Sequence, residues 1–131
     1  MPLAGTTGTQ KSYQDSALRY GAIETDQNTA TAASNAATIS AYTGVITTES
    51  LTTAAGATYT CTVTDTYAHA TDIVFTAVWN GTSSTGTPCI TTVTPADGSF
   101  VIIVQNIHAS AAFNGTLKIG FELRKRQARG I

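Results

Sequence analysis

The sequence predicts an all-β protein: an antiparallel, jelly-roll-like β-sandwich with an extended N-terminal arm. Residues 117–123 and 59–63 alternate apolar and polar side chains with the period of two that is typical of a half-buried strand. Asn-Gly or Asp-Gly pairs, which favour tight turns, stand between strands at positions 80–81, 97–98 and 114–115. Threonine, which suits the surface of a sheet, makes up about one residue in five. These features favour strands over helices.

The length and charge of the chain limit the kinds of protein it can be. Its 131 residues are about the size of one domain. The formal net charge is -1 and 11% of the residues are charged, against about 25% in a typical globular protein. We therefore expect no general attraction to nucleic acid or to an anionic membrane. No apolar run approaches the roughly 20 residues of a membrane helix, and the first residues do not have the pattern of a secretory signal.

Residues 1–35 are predicted to be the arm, because they show no sustained periodicity. Their bulky apolar residues are few, namely Tyr13, Leu18, Tyr20 and Ile23. Residues 25–41 allow two interpretations, a short helix or an extended segment, and their threonines and asparagines favour the extended one. Since so few apolar anchors cannot offset the entropy of ordering, we expect the arm to order only against a partner chain.

From residue 36 to residue 125 the strand signals are regular, and we expect one domain of about seven strands. The predicted strands are residues 38–42, 44–51, 58–64, 73–79, 87–94, 100–107 and 115–123. In the third strand the threonines form the solvated face. In the fourth, Trp79 shares its face with apolar residues and is expected in the core. The sixth strand, residues 100–107, is apolar on both faces, so it is expected at the centre of a sheet or beneath a neighbouring chain.

No catalytic or metal-binding motif stands out. His69 and His108 both lie in predicted loops and lack further ligands at metal-site spacing, so no metal or cofactor is expected. Ser110, His108 and Asp97 contain the residue types of a catalytic triad, but no nucleophile motif surrounds any serine. We therefore expect no enzyme. The two cysteines, Cys61 and Cys89, allow one disulfide bridge, but the small number of cysteines and the lack of a secretory signal favour two buried free thiols.

Two short polar motifs have alternative interpretations. Asn80 and Asn114 each begin an Asn-Gly-Thr glycosylation pattern, but we interpret both Asn-Gly pairs as left-handed pairs of tight hairpin turns. The basic residues at 124–129 are either a solvated end of the last strand or a docking strip. Residues 126–131 form the predicted basic tail, and Arg124, Lys125 and Arg126, together with the four anchors of the arm, are the candidate contacts with other subunits or a capsid.

Several of these segments resemble small virion proteins of tailed bacteriophages, in particular the β-sandwich modules of capsid decoration (cement) proteins and fibre ends. The resemblance covers roughly residues 36–123 and is carried by turns and strand edges: GVITTESLTTAAGATYT at 44–60, NGT at 80–82, GTP at 86–88, VTP at 93–95 and NIHASAAFNGT at 106–116. It implies a structural subunit without catalytic residues. It also implies a homo-oligomer, most often a trimer, made in the bacterial cytoplasm and located on the outside of a phage head or tail.

Three functions follow as expectations. The first is a decoration protein that binds the major capsid protein and stabilises the head, with no membrane or nucleic-acid partner. The second is a fibre or tail-tip module that binds a receptor on the host, with the arm as its anchor in the virion. The third, a small glycan hydrolase, would need a carboxylate such as Asp72 or Asp97 as its catalytic group.

Overall fold

The computed structural model describes residues 28–126, which form two four-stranded sheets packed as a β-sandwich. The strands are β1 (Thr29–Thr31), β2 (Ala36–Thr38), β3 (Thr43–Thr47), β4 (Thr58–Thr64), β5 (Ile73–Asn80), β6 (Pro88–Ala96), β7 (Ser99–Asn106) and β8 (Leu117–Arg124). The front sheet has the order β1-β3-β8-β5 and the back sheet the order β2-β4-β7-β6. No helix occurs within residues 28–126. The predicted all-β sandwich is confirmed.

The sheets are mixed and not wholly antiparallel. Strand β1 pairs in parallel with β3, and β2 pairs in parallel with β4. The other four pairings are antiparallel, as predicted. Between β1 and β2 the chain passes from the front sheet to the back sheet, and each of these short strands forms an edge of its sheet.

The three strands with the clearest sequence signals form the centre of the fold. In β8 the side chains that face the core are buried, and they are Leu117, Ile119, Phe121 and Leu123. Strand β4 buries Tyr59, Cys61 and Val63 and turns its threonines outward. Strand β7 lies between β4 and β6, which confirms its predicted central position. Across the two sheets, the rings of Phe100 and Phe121 pack with their centroids 5.0 Å apart.

The sandwich begins nearer the N-terminus than the predicted boundary at residue 36. Strand β1 lies in the segment assigned to the arm, and its residue Ala30 pairs with Ile46 of β3. Residues 28–41 contain no helix and form two short extended strands joined by a turn, in line with the favoured interpretation. The strand predicted at 38–42 is wrong because β2 ends at Thr38. The turn between β1 and β2 places Ser34 and Asn35 at positive φ, 51° and 68°. Residues 29–38 therefore contact strands of their own chain.

One of the three predicted turns is a hairpin. Asp97 and Gly98 join the adjacent strands β6 and β7, and Gly98 has a φ of 83°. The prediction of left-handed hairpin pairs at Asn80-Gly81 and Asn114-Gly115 is wrong, because all four residues have negative φ and both connections pass from one sheet to the other. The glycines have a different role there.

The two Asn-Gly-Thr motifs pair with each other. The N–H of Thr82 donates to Oγ1 of Thr116, and the N–H of Thr116 donates to Oγ1 of Thr82, both at 2.9 Å. A Cβ at Gly81 would lie 2.4 Å from Thr116 Oγ1, and a Cβ at Gly115 would lie 2.5 Å from Thr82 Oγ1. Glycine is required at these two positions by close approach of the two segments, and not by a turn conformation.

A buried asparagine joins three loops at the end of the sandwich where β7 finishes. Asn106 is fully buried, and its Nδ2 donates to the carbonyls of Thr53 and Ala111, at 3.1 and 2.8 Å. Its Oδ1 accepts from the N–H groups of Thr87 and His108, at 3.0 and 3.1 Å. All the hydrogen-bonding capacity of the amide is therefore used.

A buried carboxylate has the corresponding position at the other end. Oδ1 of Asp65 accepts from the N–H groups of Tyr67 and Ala41, at 2.9 and 3.2 Å, while its Oδ2 has no partner among the described residues. Burial raises the pKa of Asp65 above its usual value, although these two hydrogen bonds oppose the shift. The group thus joins two loops at some electrostatic cost.

We expect the change Asn106→Ala to lower the free energy of unfolding by about 3 kcal/mol, because it leaves two carbonyls and two N–H groups without partners beneath the loops. The matched control is Gln105→Ala on the neighbouring residue, whose Nε2 donates to the carbonyl of Gly56 at an exposed position. That variant should lose less than about 0.5 kcal/mol. Urea unfolding followed by Trp79 fluorescence measures both, and equal losses would contradict the assigned role of Asn106.

Candidate interaction surface

The outer side of β5 exposes an apolar stripe. Ile73, Phe75 and Trp79 point away from the core and are 46%, 52% and 45% exposed. Ala77 lies between them on the same face and is also exposed. The expectation that Trp79 lies in the core is wrong, although the three larger residues do share a face as the alternation indicates.

The inner side of β5 explains this reversal. Val74 and Val78 pack against the core, so this strand is apolar on both faces. The register with β8 decides which face turns inward: Val78 pairs with buried Ile119, and Val74 pairs with buried Leu123. Residues directly opposite each other in a sheet share a face, so the aromatic side chains are placed outside.

The neighbouring strand β8 supplies the charged part of this surface. The guanidinium of Arg124 lies 5.6 Å from the ring centroid of Phe75 and forms an ion pair with Glu122, with 3.3 Å between Nε and Oε2. Nζ of Lys118 donates to Oγ1 of Thr47 at 2.9 Å. Between these charges is Gly120, where a Cβ would lie 3.1 Å from the ring of Trp79. The glycine makes room for the indole.

The predicted contact residue Lys125 forms an ion pair within the fold. Its Nζ lies 2.6 Å from Oδ2 of Asp72 and also donates to the carbonyl of Tyr67. Burial raises the pKa of Asp72, but the hydrogen bonds from Lys125 and from the His69 N–H outweigh burial, so the pKa lies below its usual value. This ion pair joins the end of β8 to the loop before β5.

Two tyrosines extend the exposed aromatic area around the ion pair. The rings of Tyr42 and Tyr67 stack with their centroids 4.6 Å apart, and both are about half exposed. Nζ of Lys125 lies 5.8 Å from the centroid of Tyr42. Because Lys125 follows Arg124 directly, this pair lies at the end of the front sheet where β5 begins. We call the stripe on β5 and these two tyrosines the aromatic surface.

The structure therefore separates the predicted contact residues. Arg124 lies at the border of the aromatic surface, Lys125 is held in an ion pair, and Arg126 is exposed. The arm residues Tyr13, Leu18, Tyr20 and Ile23 lie outside the described residues. The sequence does not predict the contribution of Phe75, Tyr42 and Tyr67 to this surface. An alternating pattern shows which residues share a face, but not whether an aromatic face is turned to the core or to solvent.

The residue types of a catalytic triad are not brought together. His108 accepts hydrogen bonds at Nδ1 from the N–H groups of Ser110 and Ala111, at 3.0 and 2.9 Å, and thereby orders its own loop. Asp97 lies in the turn at the opposite end of β7, beside His69, with 3.7 Å between Oδ1 and Nδ1. The length of β7 separates these two groups.

The remaining polar and thiol groups of note belong to the core and the crossover. Glu49 accepts hydrogen bonds from the hydroxyl of Tyr59 at 2.7 Å and from the N–H of Asn35 at 2.9 Å. The carboxylate thus fixes the turn between β1 and β2. Both cysteines are free thiols, as expected, and Cys61 is buried. The expectation that Cys89 is also buried is wrong, because it is partly exposed. Burial raises the pKa of Cys61.

Within residues 28–126 there is no pocket and no group of three side chains placed to hold a metal ion. No helix in this part of the chain is long and apolar enough to cross a membrane. Comparison with protein families, with curated proteins and with solved structures finds no match. The aromatic surface is therefore the feature of the described fold from which a function can be argued.

We expect Lys125→Met to destabilise the fold by about 2 kcal/mol near pH 7, because it leaves the buried Asp72 carboxylate without its counter-ion. The pKa of Asp72 lies below its usual value in the folded protein, so the stabilisation is present above the unfolded pKa of about 4 and is lost as the pH falls through the folded value. The difference between variant and wild type should therefore shrink in acid.

The control for this experiment is Arg126→Met, which removes a positive charge from an exposed neighbouring position. Urea unfolding at a series of pH values measures all three proteins. A loss for Lys125→Met that stays constant from neutral pH to strong acid, or an equal loss for Arg126→Met, would show that the ion pair with Asp72 does not stabilise the fold.

Proposed function

We propose that this chain is a structural protein of a tailed bacteriophage, a decoration protein that binds the outside of the head and stabilises it. The observation that carries the proposal is the aromatic surface, an uncovered apolar area on a fold whose described part has no pocket. Exposed apolar patches of this kind mark contacts with other proteins. The resemblance of residues 36–123 to phage virion modules supplies the setting.

The rest of the described surface fits an assembled protein. The outer side of β4 is a row of threonines, with Thr58, Thr62 and Thr64 exposed. Such a surface is polar but has little charge, so neighbouring subunits can approach it without strong repulsion. The weakly charged outer face of the back sheet thus allows close packing on a particle, in a homo-oligomer bound to the major capsid protein.

A receptor-binding module of a fibre or tail tip is the second candidate. It is favoured by Trp79 and Phe75, because exposed aromatic rings on a sheet can stack against the apolar faces of sugars. The two functions differ in copy number. Hundreds of copies per virion favour decoration, whereas about a dozen favour a fibre, since a phage carries few fibres and a head many subunits.

We expect purified protein to raise the temperature at which heads stripped of it break open, because a bound layer that prefers the intact shell stabilises it by mass action. Release of packaged DNA on heating, followed with a fluorescent dye, measures this temperature. The variant Trp79→Ser should have a smaller effect, whereas Thr62→Ser on the back sheet should act like the wild type. No shift at saturating protein would count decisively against a decoration role.

A further inference from the structure

Strand β5 is an edge strand without the features that normally protect an edge. It has eight residues, Ile73–Asn80, and contains no charged residue and no proline. The other edges in the described fold are protected: β1 and β2 have three residues each, and β6 carries Pro88, Pro95 and a register shift between Ile90 and Thr92. A long, uncharged and apolar edge is a template for pairing with another chain.

The backbone groups that face this open edge can be identified. On β8, the carbonyl of Thr116 accepts from Gly81 on the β5 side, whereas the N–H of Leu123 donates to Tyr42 on the β3 side. Because these directions alternate along a strand, the even-numbered residues of β8 bond to β5. Their partners on β5 are the odd-numbered residues. Val74, Thr76 and Val78 therefore direct their N–H and C=O groups toward the open edge.

We propose that β5 of one copy pairs antiparallel with β5 of a second copy, which joins the two front sheets into one sheet of eight strands. The two-fold axis passes beside Thr76. In this register Thr76 pairs with Thr76 of the partner subunit, and Val74 pairs with Val78 of the partner subunit. Val74, Thr76 and Val78 of each strand, whose backbone groups face the edge, then meet as hydrogen-bonded pairs. All of their edge N–H and C=O groups therefore gain partners.

The outer side chains fit the same register. Phe75 lies opposite Ala77 of the partner subunit, and Ile73 lies opposite Trp79 of the partner subunit. Each large aromatic thus meets a smaller apolar residue, in the pairs where opposite Cα atoms are closest, about 4.5 Å apart. The nearest charged residue is Asp72, which directly precedes β5 and is neutralised by Lys125. Glu122 and Arg124 lie on β8, one strand away from the seam, and form an ion pair with each other. No charge opposes the pairing.

This dimer deepens the proposed function, since it names the first contact in a homo-oligomer on the particle, but it holds for any structural role. A two-fold seam gives a dimer, whereas the resemblance implies a trimer. The two are distinguished in purified protein, without any phage particle. Failure of the dimer would therefore leave the head-stabilisation experiment unaffected.

The first experiment measures the dissociation constant of the dimer by analytical ultracentrifugation. We expect the wild type to be a dimer at micromolar concentration and Ala77→Lys to weaken it about tenfold or more, because a charge is then placed in an apolar seam. The matched control is Ala96→Lys, at an exposed position on the back sheet, which should leave the constant unchanged. Unfolding curves establish that each variant folds.

The second experiment tests the register by disulfide formation in a Cys89→Ser background. Phe75→Cys and Ala77→Cys, mixed under oxidising conditions, should form a cross-linked dimer, because these positions face each other within the Cα distance that a disulfide allows. Either variant alone should cross-link much less, since identical positions are then diagonal neighbours about 7 to 8 Å apart.

Three results would overturn the proposal. They are a protein that stays monomeric at high micromolar concentration, an oligomer that Ala77→Lys leaves intact, and cross-linking that is as strong for each variant alone as for the mixture. Equal cross-linking of the single variants and the mixture would be consistent with an interface at β5 but would exclude the two-fold register at Thr76.

Discussion

The four hydrogen bonds of the Asn106 side chain hold together the end of the sandwich on which the loops converge. The core beneath that end includes Phe113, which is buried although it lies in a loop. An amide is suited to the position because its two donors and two acceptor sites meet two carbonyls and two N–H groups, from segments far apart in sequence. At the other end the carboxylate of Asp65 has only acceptor atoms, and it accepts hydrogen bonds from two backbone N–H groups. Both ends are thus closed by bonds from side chain to backbone.

With the ends closed in this way, the sides of the sandwich differ. On one side β1 and β2 line the edges of the two sheets, and the crossover between them is fixed by Glu49. On the other side β5 and β6 lie next to each other in separate sheets. Nothing in the described chain forms a ladder with the outer edge of β5. The strand order therefore leaves the outer edge of β5 available to another chain.

The sequence predicts the centre of this fold well and its margins poorly, for physical reasons. Strands β4 and β8 have one apolar and one polar face, so alternation alone defines their inner side. Strand β5 is apolar on both faces, and only its register with β8 places Trp79 outside. The Asn-Gly pairs at 80–81 and 114–115 have the composition of hairpin turns, but their glycines allow two distant segments to touch. Such contacts depend on tertiary structure and leave no local signal.

The residues of the candidate surface are likewise predicted only in part, because their neighbours are set by tertiary structure. The basic run in the sequence indicates Arg124 as a contact residue, and in the structure its guanidinium lies beside the ring of Phe75. Lys125 belongs to the same run, yet the fold directs it to Asp72, which is 53 residues away in sequence. The partner of each charge is set by the packing of β8 against the loop before β5. A run of like charges in the sequence therefore does not define a single surface in the structure.

The contrast between β5 and β6 argues that the open edge is a specific feature of this protein. Both strands lie on the same side of the sandwich, and the loop at 81–87 joins the end of β5 to the start of β6. Yet β6 carries two prolines and a bulge, which are common means of preventing edge pairing. On β5 the solvent side carries isoleucine, phenylalanine and tryptophan, while the core side carries valine, threonine and valine. Covering apolar area contributes about 25 cal/mol per Å², so contact of these exposed side chains with a partner strand adds to the stability of the pair.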